Sequence, residues 1–485
     1  MTAGAGPAAP ARAGEHEPAR ATENTPARAG ENAPTAAGEN APTRAYLAAR
    51  EDGTHPPLDP ELPGYARFRS WFTRPLLSRP ALLDAAQTRR LDHDLPLLLR
   101  TLQALPDRLF GGDQERFARA LGWTQPSAAA ALRALSGPPV PLGRADLVSG
   151  PDGFQLVEFN TSSSLGSLEF GELCRAVLAD PGFAAFAADQ RLDYLDPMEL
   201  MAKTLLRTVG WESAERPTIA LVDWTTSPVA VNASLFIDLL SGLGFPIVVC
   251  DVGDLEFGPG GLLAHGTRID VVYRTFLFKT VAEDPAAEAL LAPLREARRH
   301  GAARVFSPLN ADLFGSKLCL ALLSDPGGSD PLTPDEREVV DRVLPWTRSM
   351  RGAEATPADG GGSLAEHVLA ERAELVLKPS IGHAGRGVTA GWLTEPDAWA
   401  GLVRVACAGD SGEYIVQRRA PSAAERFHAP GAAGPPTATC HLHWGLFVTG
   451  AGLSGGFVKG LLDHEQDIRY LGDGSHVGCV FHSAA

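Results

Sequence analysis

Lys378 ends the apolar run Leu375-Val376-Leu377 and is followed by Pro379-Ser380-Ile381-Gly382-His383-Ala384-Gly385-Arg386-Gly387-Val388. A strand that delivers a lysine into three glycines lets the backbone approach a bound group closely. Backbone N–H groups beside an ammonium form a concave anion site suited to phosphates. No Gly-Lys-Ser/Thr opens a helix here, so this is not a P-loop, and the same residues also suit an ordinary hairpin with a flexible turn. A second constellation is Glu158-Phe159-Asn160-Thr161-Ser162-Ser163-Ser164-Leu165-Gly166. Residues two apart on a strand share a face, so Glu158 and Asn160 present two oxygen ligands of the type that Mg²⁺ takes together with phosphate oxygens. The hydroxyls after them suit a polar substrate, while the plain alternative is a capped or solvated strand end. His441 and His443 alternate as a metal pair would, without a third ligand, and are read as solvent-side or hydrogen-bonded residues. Asp463, His464 and Glu465 fall in a polar loop, either a lid or a solvated turn. A G-x-S-x-G elbow is absent, which argues against a serine hydrolase of that type.

The elements that must position these residues change character along the chain. Residues 11–42 repeat ARAGEHEP, ARATENTP, ARAGENAP and TAAGENAP. Without large apolar residues such a segment cannot offset its ordering entropy, so residues 1–45 are expected to be a disordered tail, with folding from Tyr46. From Trp71 to Leu135 apolar residues recur at three and four, predicting amphipathic helices. ADLVSGPDGFQLVEFNTSSS reads as a hairpin whose second strand runs into the serines. PTIALVDW, NASLFIDLLSGLG, FPIVVCDV and RIDVVYRTF predict a small Rossmann-like parallel unit, lacking G-x-G-x-x-G. Residues 281–299 are helical, FSPLNADLFGSKLCLALLSDP is a loop entering a helix, and the last third is rich in strands and glycine loops.

With 485 residues, 44% hydrophobic and 21% charged, the chain has room for about three domains with buried cores. A net charge of −15 argues against a nucleic-acid partner. No apolar run reaches membrane-spanning length, and the first thirty residues carry no signal-like core. The six cysteines lack C-x-x-C spacing, and they read as reduced thiols of a cytoplasmic protein.

Taken together, the motifs resemble the eukaryotic glutathione synthetases, members of the ATP-grasp superfamily with a circularly permuted substrate domain. RADLVSGPDGFQLVEFNTSSSLGSL is similar to their Arg-x-Asp strand, turn and Glu-x-Asn-Thr serine loop. VVYRTF, GSKLCLALL, LVLKPSIGHAGRGV, EYIVQRRA, FVKG and GDGSHVGCV follow in the family's order, over roughly residues 144–480. The resemblance implies an α/β (α+β) ATP-grasp fold. Its parts are a helical and hairpin part over 46–215, an inserted Rossmann-like substrate domain over 216–305, and a nucleotide-binding part over 306–485. It implies ATP and Mg²⁺ as cofactors, with Glu158 and Asn160 on the metal. Lys317 and Lys378 fall on the phosphates, with Gly385 and Gly387 in the lid. Gln417 and Arg418 lie on the adenine hinge, acting through backbone atoms, and Lys459 lies near the nucleotide. Arg144, Ser163, Ser164 and Arg274 face the acid substrate, and Gly474 and Ser475 lie in a loop closing over the second substrate. The catalytic set is Arg144, Arg274 and Lys459. The family often forms homodimers.

Three departures stand out: Gly382 occupies the place of a metal-binding Glu, Arg418 and Arg419 replace an acidic–basic pair, and the serine loop is one residue shorter. The expected activity is a carboxylate–amine ligase that joins a small-molecule acid to an amine, in bacterial small-molecule biosynthesis. A glutathione or glutathionylspermidine-type synthetase and a nucleotide-binding pseudoenzyme are the alternatives. Such a ligase needs these parts because a carboxylate is a poor acyl donor. Phosphorylation makes it reactive, and phosphoryl transfer rests on positioning and charge neutralisation.

Overall fold

The hairpin expected around Pro151-Asp152-Gly153 seeds the largest sheet. The strands Gly143–Gly150 and Gly153–Asn160 pair antiparallel, with Arg144 opposite Asn160 and Asp146 opposite Glu158. The sheet continues through His443–Thr449, Gly452–Gly460 and His476–Ser483 to Ala81–Leu83, which runs parallel to its neighbour, and Leu192–Asp193 adds an antiparallel edge. This computed structural model describes residues 39–484, apart from 56, 60, 163–164, 225–232, 326–329, 359–360, 383–384, 410–411, 429–435, 437 and 461–474. Strand alternation gives the sheet two different faces. On one, Leu147, Trp444, Leu446 and Val458 pack with Leu91, Leu95, Leu98 and Leu102 of the helix Ala85–Gln103. That helix starts where Asp84 accepts from the Ala86 and Gln87 N–H groups and the Asp84 N–H in turn donates to Gln87 Oε1. On the other face, Phe170 and Cys174 of the helix Phe170–Leu178 cover Phe457 and Phe481.

A second sheet is all parallel, in the order Arg304–Phe306, Val271–Arg274, Ile219–Asp223, Ile247–Asp251. Its strands read as nearly continuous apolar runs, as strands covered on both faces do. A third, antiparallel sheet is ordered Thr347–Ser349, Tyr414–Arg418, Leu375–Pro379, Thr389–Ala390. It has its own core, in which Leu375, Leu377 and Val416 pack against Trp399, Val403 and Ala406 of the helix Pro396–Ala408. Since successive side chains alternate, Val376, Lys378 and Gln417 point to its opposite face.

The fold begins before Tyr46. The helix Ala41–Glu51 is capped by the Asn40 side chain, and the Glu39 carboxylate, buried, pairs with Arg426 at 2.7 Å. Asn40 and Pro42, the last repeat's contribution, are therefore part of a structured helix start; Pro tolerates that position because its missing N–H has no helical partner there. The rest of the expected tail, residues 1–38, lies outside the described residues. Among the described residues no helix is long and apolar enough to cross a membrane, and all six cysteines are buried and outside any disulfide.

Candidate active site

Two cavities meet on the second face of the large sheet, and Asp146 and Glu158 line both. The smaller, of about 150 Å³, lies between this sheet and the Lys378 face of the third sheet. Lys317 opens the helix Lys317–Ser324 behind the cap residue Ser316, and its backbone N–H donates to the Ser380 carbonyl at 2.8 Å. This bond ties the helix start to the strand that carries Lys378. The Lys317 ammonium pairs with Glu158 at 2.8 Å. Lys378 donates to the Val157 carbonyl at 3.0 Å and to Gln417 Oε1 at 2.6 Å, and Gln417 Nε2 donates to Thr347 Oγ1 at 3.0 Å. Lys317, Lys378 and Glu158 thus line one cavity.

Among the described residues Lys378 has no carboxylate of its own within ion-pair distance. Burial and the Lys317 charge push its pKa down to about 7, against the pull of Glu158. An arriving anion would therefore strengthen its hold on the proton. Gly385 and Val388 reach the cavity from the glycine loop. Gly385 and Gly387 have φ of +70° and +74°, and a Cβ at Gly387 would lie 2.7 Å from Pro379 Cγ, so both the turn and the close approach require glycine. Gly382 is different: a Cβ there would meet its nearest neighbour at 3.5 Å, an ordinary contact. At the far end of the cavity the Arg419 guanidinium lies 4.2 Å from the Trp392 ring centroid. The N–H groups of Arg418 and Arg419 donate to the Trp346 and Glu374 carbonyls at 2.8 and 2.7 Å. Gln417 and Arg418, the residues expected on the adenine hinge, both line this cavity.

The second cavity is larger, about 490 Å³. Arg144 grips Asp146 through Nε at 2.6 Å and Nη2 at 3.0 Å, and Asn160 Nδ2 donates to the same carboxylate at 3.2 Å. Burial pushes the Asp146 pKa up, but the Arg144 charge and its hydrogen bonds outweigh this and hold it below the ordinary value. Lys459, expected near the nucleotide, lines this cavity with Arg144 and not the first, while Asp146 and Glu158 line both. The reason is register: Phe457 and Lys459 alternate onto one face, and Gly445 stands opposite Phe457. A Cβ on Gly445 would come within 2.4 Å of that ring, so its absence lets Phe457 lie across the sheet, with its ring centroid 5.4 Å from the Arg144 guanidinium and 5.4 Å from the Lys459 ammonium. Burial, with Arg144 and Arg74 against Asp146, lowers the Lys459 pKa to about 8.

Arg274, expected to face the acid substrate, is turned into the fold. Its side chain is 0% exposed and lines neither cavity. The guanidinium donates to the carbonyls of Ser307, Pro308 and Phe276 and pairs with Asp312 at 2.7 Å, so every N–H is used inside the fold. Leu277, three residues on, reaches the second cavity instead. Ser475 is buried and accepts from Arg74, a lining residue, without lining the cavity itself. Ser163, Ser164, Gly474 and the Asp463–Glu465 loop lie outside the described residues, but Ser162 and Ser167 line the second cavity.

Sequence reasoning missed Asp146, Arg74 and Trp392. The signal for Asp146 was present: it lies two residues after Arg144 on one strand. His441 and His443 both line the first cavity, the former half-buried and the latter buried. His443 is 8% exposed, and burial brings its pKa down to about 4 against the pull of Asp146, so it is neutral at pH 7. Among the described residues no group of three or more His, Cys, Asp or Glu could hold a metal. The carboxylates Asp146 and Glu158, with the Asn160 amide oxygen, nevertheless supply hard oxygen donors at the seam of the cavities. This suits Mg²⁺, which keeps waters and takes one or two carboxylates along with phosphate oxygens.

The sequence matches no family model and no curated protein. Among solved structures it is similar to a glutathione synthetase-like effector from Globodera pallida in its apo form. The identity is 15%, with 87% of this chain and 94% of that chain covered and a TM-score of 0.50. A protein from Methylobacillus flagellatus named as a candidate gamma-glutamylcysteine synthetase is further off, at 9% identity, coverage of 78% and 85% and a TM-score of 0.38. The chain therefore shares a mixed α/β fold with the glutathione synthetase-like effector.

Proposed function

We propose that this chain is an ATP-dependent carboxylate–amine ligase of the ATP-grasp type, releasing ADP and phosphate. The observation that carries the reading is the meeting of the two cavities at Asp146 and Glu158, with Lys317 and Lys378 on one side and Arg144 and Lys459 on the other. A triphosphate in the first cavity would direct its γ-phosphoryl group at that seam, where an acid from the second would present its carboxylate. Glu158, Asp146 and Asn160 would hold Mg²⁺, which neutralises phosphate charge when bound. Lys317 and Lys378 neutralise the remaining oxygens, and the Gly385–Gly387 turn keeps water from the reacting group. A carboxylate oxygen attacks the γ-phosphorus as the bond to the β-phosphate oxygen breaks. The amine then attacks the acyl carbon, phosphate leaves, and the amine nitrogen gives up its proton. Arg144 and Lys459 are the residues placed to orient the acid. Biosynthesis of a small amide in a reducing cytoplasm suits six cysteines none of which forms a disulfide.

The test is ADP release with mixed acids and amines. ADP that appears only when both partners are present supports the ligase. ATP binding without turnover on any pair would instead favour a nucleotide-binding protein, the reading that Gly382 motivates, since nothing acidic stands where there is room for it.

A further inference from the structure

Thr347 and Gln417 stand directly opposite each other on the antiparallel strands Thr347–Ser349 and Tyr414–Arg418, and Lys378 lies one diagonal step away on the next strand. Their side chains form one hydrogen-bonded series along the wall of the first cavity. The Thr347 hydroxyl donates to the Pro345 carbonyl at 2.7 Å, Gln417 Nε2 donates to Thr347 Oγ1 at 3.0 Å, and Lys378 donates to Gln417 Oε1 at 2.6 Å. A hydroxyl has one proton to give. Since that of Thr347 goes to Pro345, its oxygen can only accept from Gln417. The amide nitrogen must therefore face Thr347, which turns the amide oxygen towards Lys378. Reversed, the amide would set an N–H against the ammonium and an oxygen against a hydroxyl with no proton left.

The acceptors on Lys378 are both neutral. Val157 supplies a backbone carbonyl and Gln417 an amide oxygen, and the third N–H of the ammonium has no partner among the described residues. A lysine on its flexible four-carbon stem is thus fixed against the cavity wall while its charge stays uncancelled. Thr347 also joins the elements that carry the two lysines. Its backbone N–H donates to Ser324 Oγ at 3.0 Å, and Ser324 ends the helix that Lys317 begins. Thr347 is 0% exposed and Gln417 1% exposed, so water cannot replace a lost bond in the series.

We infer that Gln417 and Thr347 are positioning residues for the ligand of the first cavity: Thr347 sets the direction of the Gln417 amide, and the amide oxygen holds the charged Lys378 ammonium ready for a phosphate. The phosphate rests on the ligase reading, whereas the placing of Lys378 rests on the hydrogen bonds alone. Gln417 lines the cavity, but both ends of its amide are engaged, so its side chain acts on a ligand through Lys378.

Calorimetric titration of the full chain with ATP and Mg²⁺, in the wild-type and the Lys378→Met backgrounds, tests the inference. In the wild-type background Gln417→Leu should weaken ATP binding by about tenfold, as loss of one hydrogen bond to a charged group does. Thr347→Val keeps the shape but frees the amide to turn, and should weaken it by at least about threefold, a loss that Thr347→Ser should largely recover. In Lys378→Met the same substitutions should change the affinity by less than about twofold, because the residue they act through is gone. Equal losses in the two backgrounds, or no loss from either substitution, would overturn the inference. A second readout needs no nucleotide. The chain has five lysines, so with ¹³C at the carbon beside each ammonium the Lys378 signal is assigned by its loss in Lys378→Met. That signal should shift in Gln417→Leu and in Thr347→Val, and a signal unchanged in both would also overturn the positioning. Shifts in a chain that binds no ATP would sink the nucleotide reading and leave the placing of Lys378 standing.

Discussion

Arg274→Met separates a substrate-facing arginine from one that braces the fold. In the wild-type chain the guanidinium, 0% exposed, is paired with Asp312 and donates to three backbone carbonyls. Methionine fills much of the volume but strands Asp312, whose carboxylate is 11% exposed and, among the described residues, keeps only the Phe278 N–H, at 2.7 Å. Removing one partner of a buried pair costs about 3–5 kcal/mol. With a urea dependence of about 2–3 kcal/mol per molar, the unfolding midpoint should fall by roughly 1–2.5 M. Asp312→Leu added to the same chain should recover at least half of that loss, because it removes the stranded charge. The assay is urea unfolding followed by circular dichroism, with acid binding measured calorimetrically on the folded protein. Acid affinity should be unchanged. A midpoint within about 0.3 M of wild type, together with loss of acid binding, would refute the reasoning and return Arg274 to the substrate.

Two further outcomes follow from the same contacts. Lys378→Met should lower ATP affinity by about 10- to 100-fold, as loss of a charge-assisted hydrogen bond does, and should leave the fold intact. Because the folded pKa of Lys378 lies near 7, below its ordinary 10.5, the unfolded chain binds that proton more tightly. Its share of stability is therefore lowest below pH 7 and rises as the pH climbs from about 7 to 10.5. Unfolding midpoints across that range, without nucleotide, should show this rise diminished in Lys378→Met; identical slopes would count against it. Deleting residues 1–44 should lower the thermal midpoint, since it removes Glu39 from Arg426 and the Asn40 cap, the cap alone contributing about 1 kcal/mol. An unchanged midpoint would show that this helix start adds nothing.

How much of this was legible depended on the range over which each signal acts. Strand alternation is local, so Glu158 with Asn160, and Lys378 before its glycines, could be read directly from neighbouring residues. The parallel sheet was legible for the same reason, from the apolar runs of Ile219–Asp223, Ile247–Asp251 and Val271–Arg274. The joining of Lys317 to Glu158, 159 positions apart, came only through resemblance, because no local pattern encodes which distant strand a helix start will meet. Arg274 shows the limit most clearly. Its strand, type and position suit a substrate carboxylate, yet the turn at Ser307 and Pro308 and the Asp312 side chain fold over it and use its donors. Lys459 is similar: its alternation with Phe457 is visible in the chain, but the cavity it enters is decided by sheet order and by Gly445 across the ladder. The amino-acid sequence by itself determined which strands could carry charged groups on one face and where glycine had to relax the backbone. Only the tertiary structure decided which of those groups remain available to a ligand, because hydrogen-bond partners and desolvation are set by neighbours far away along the chain.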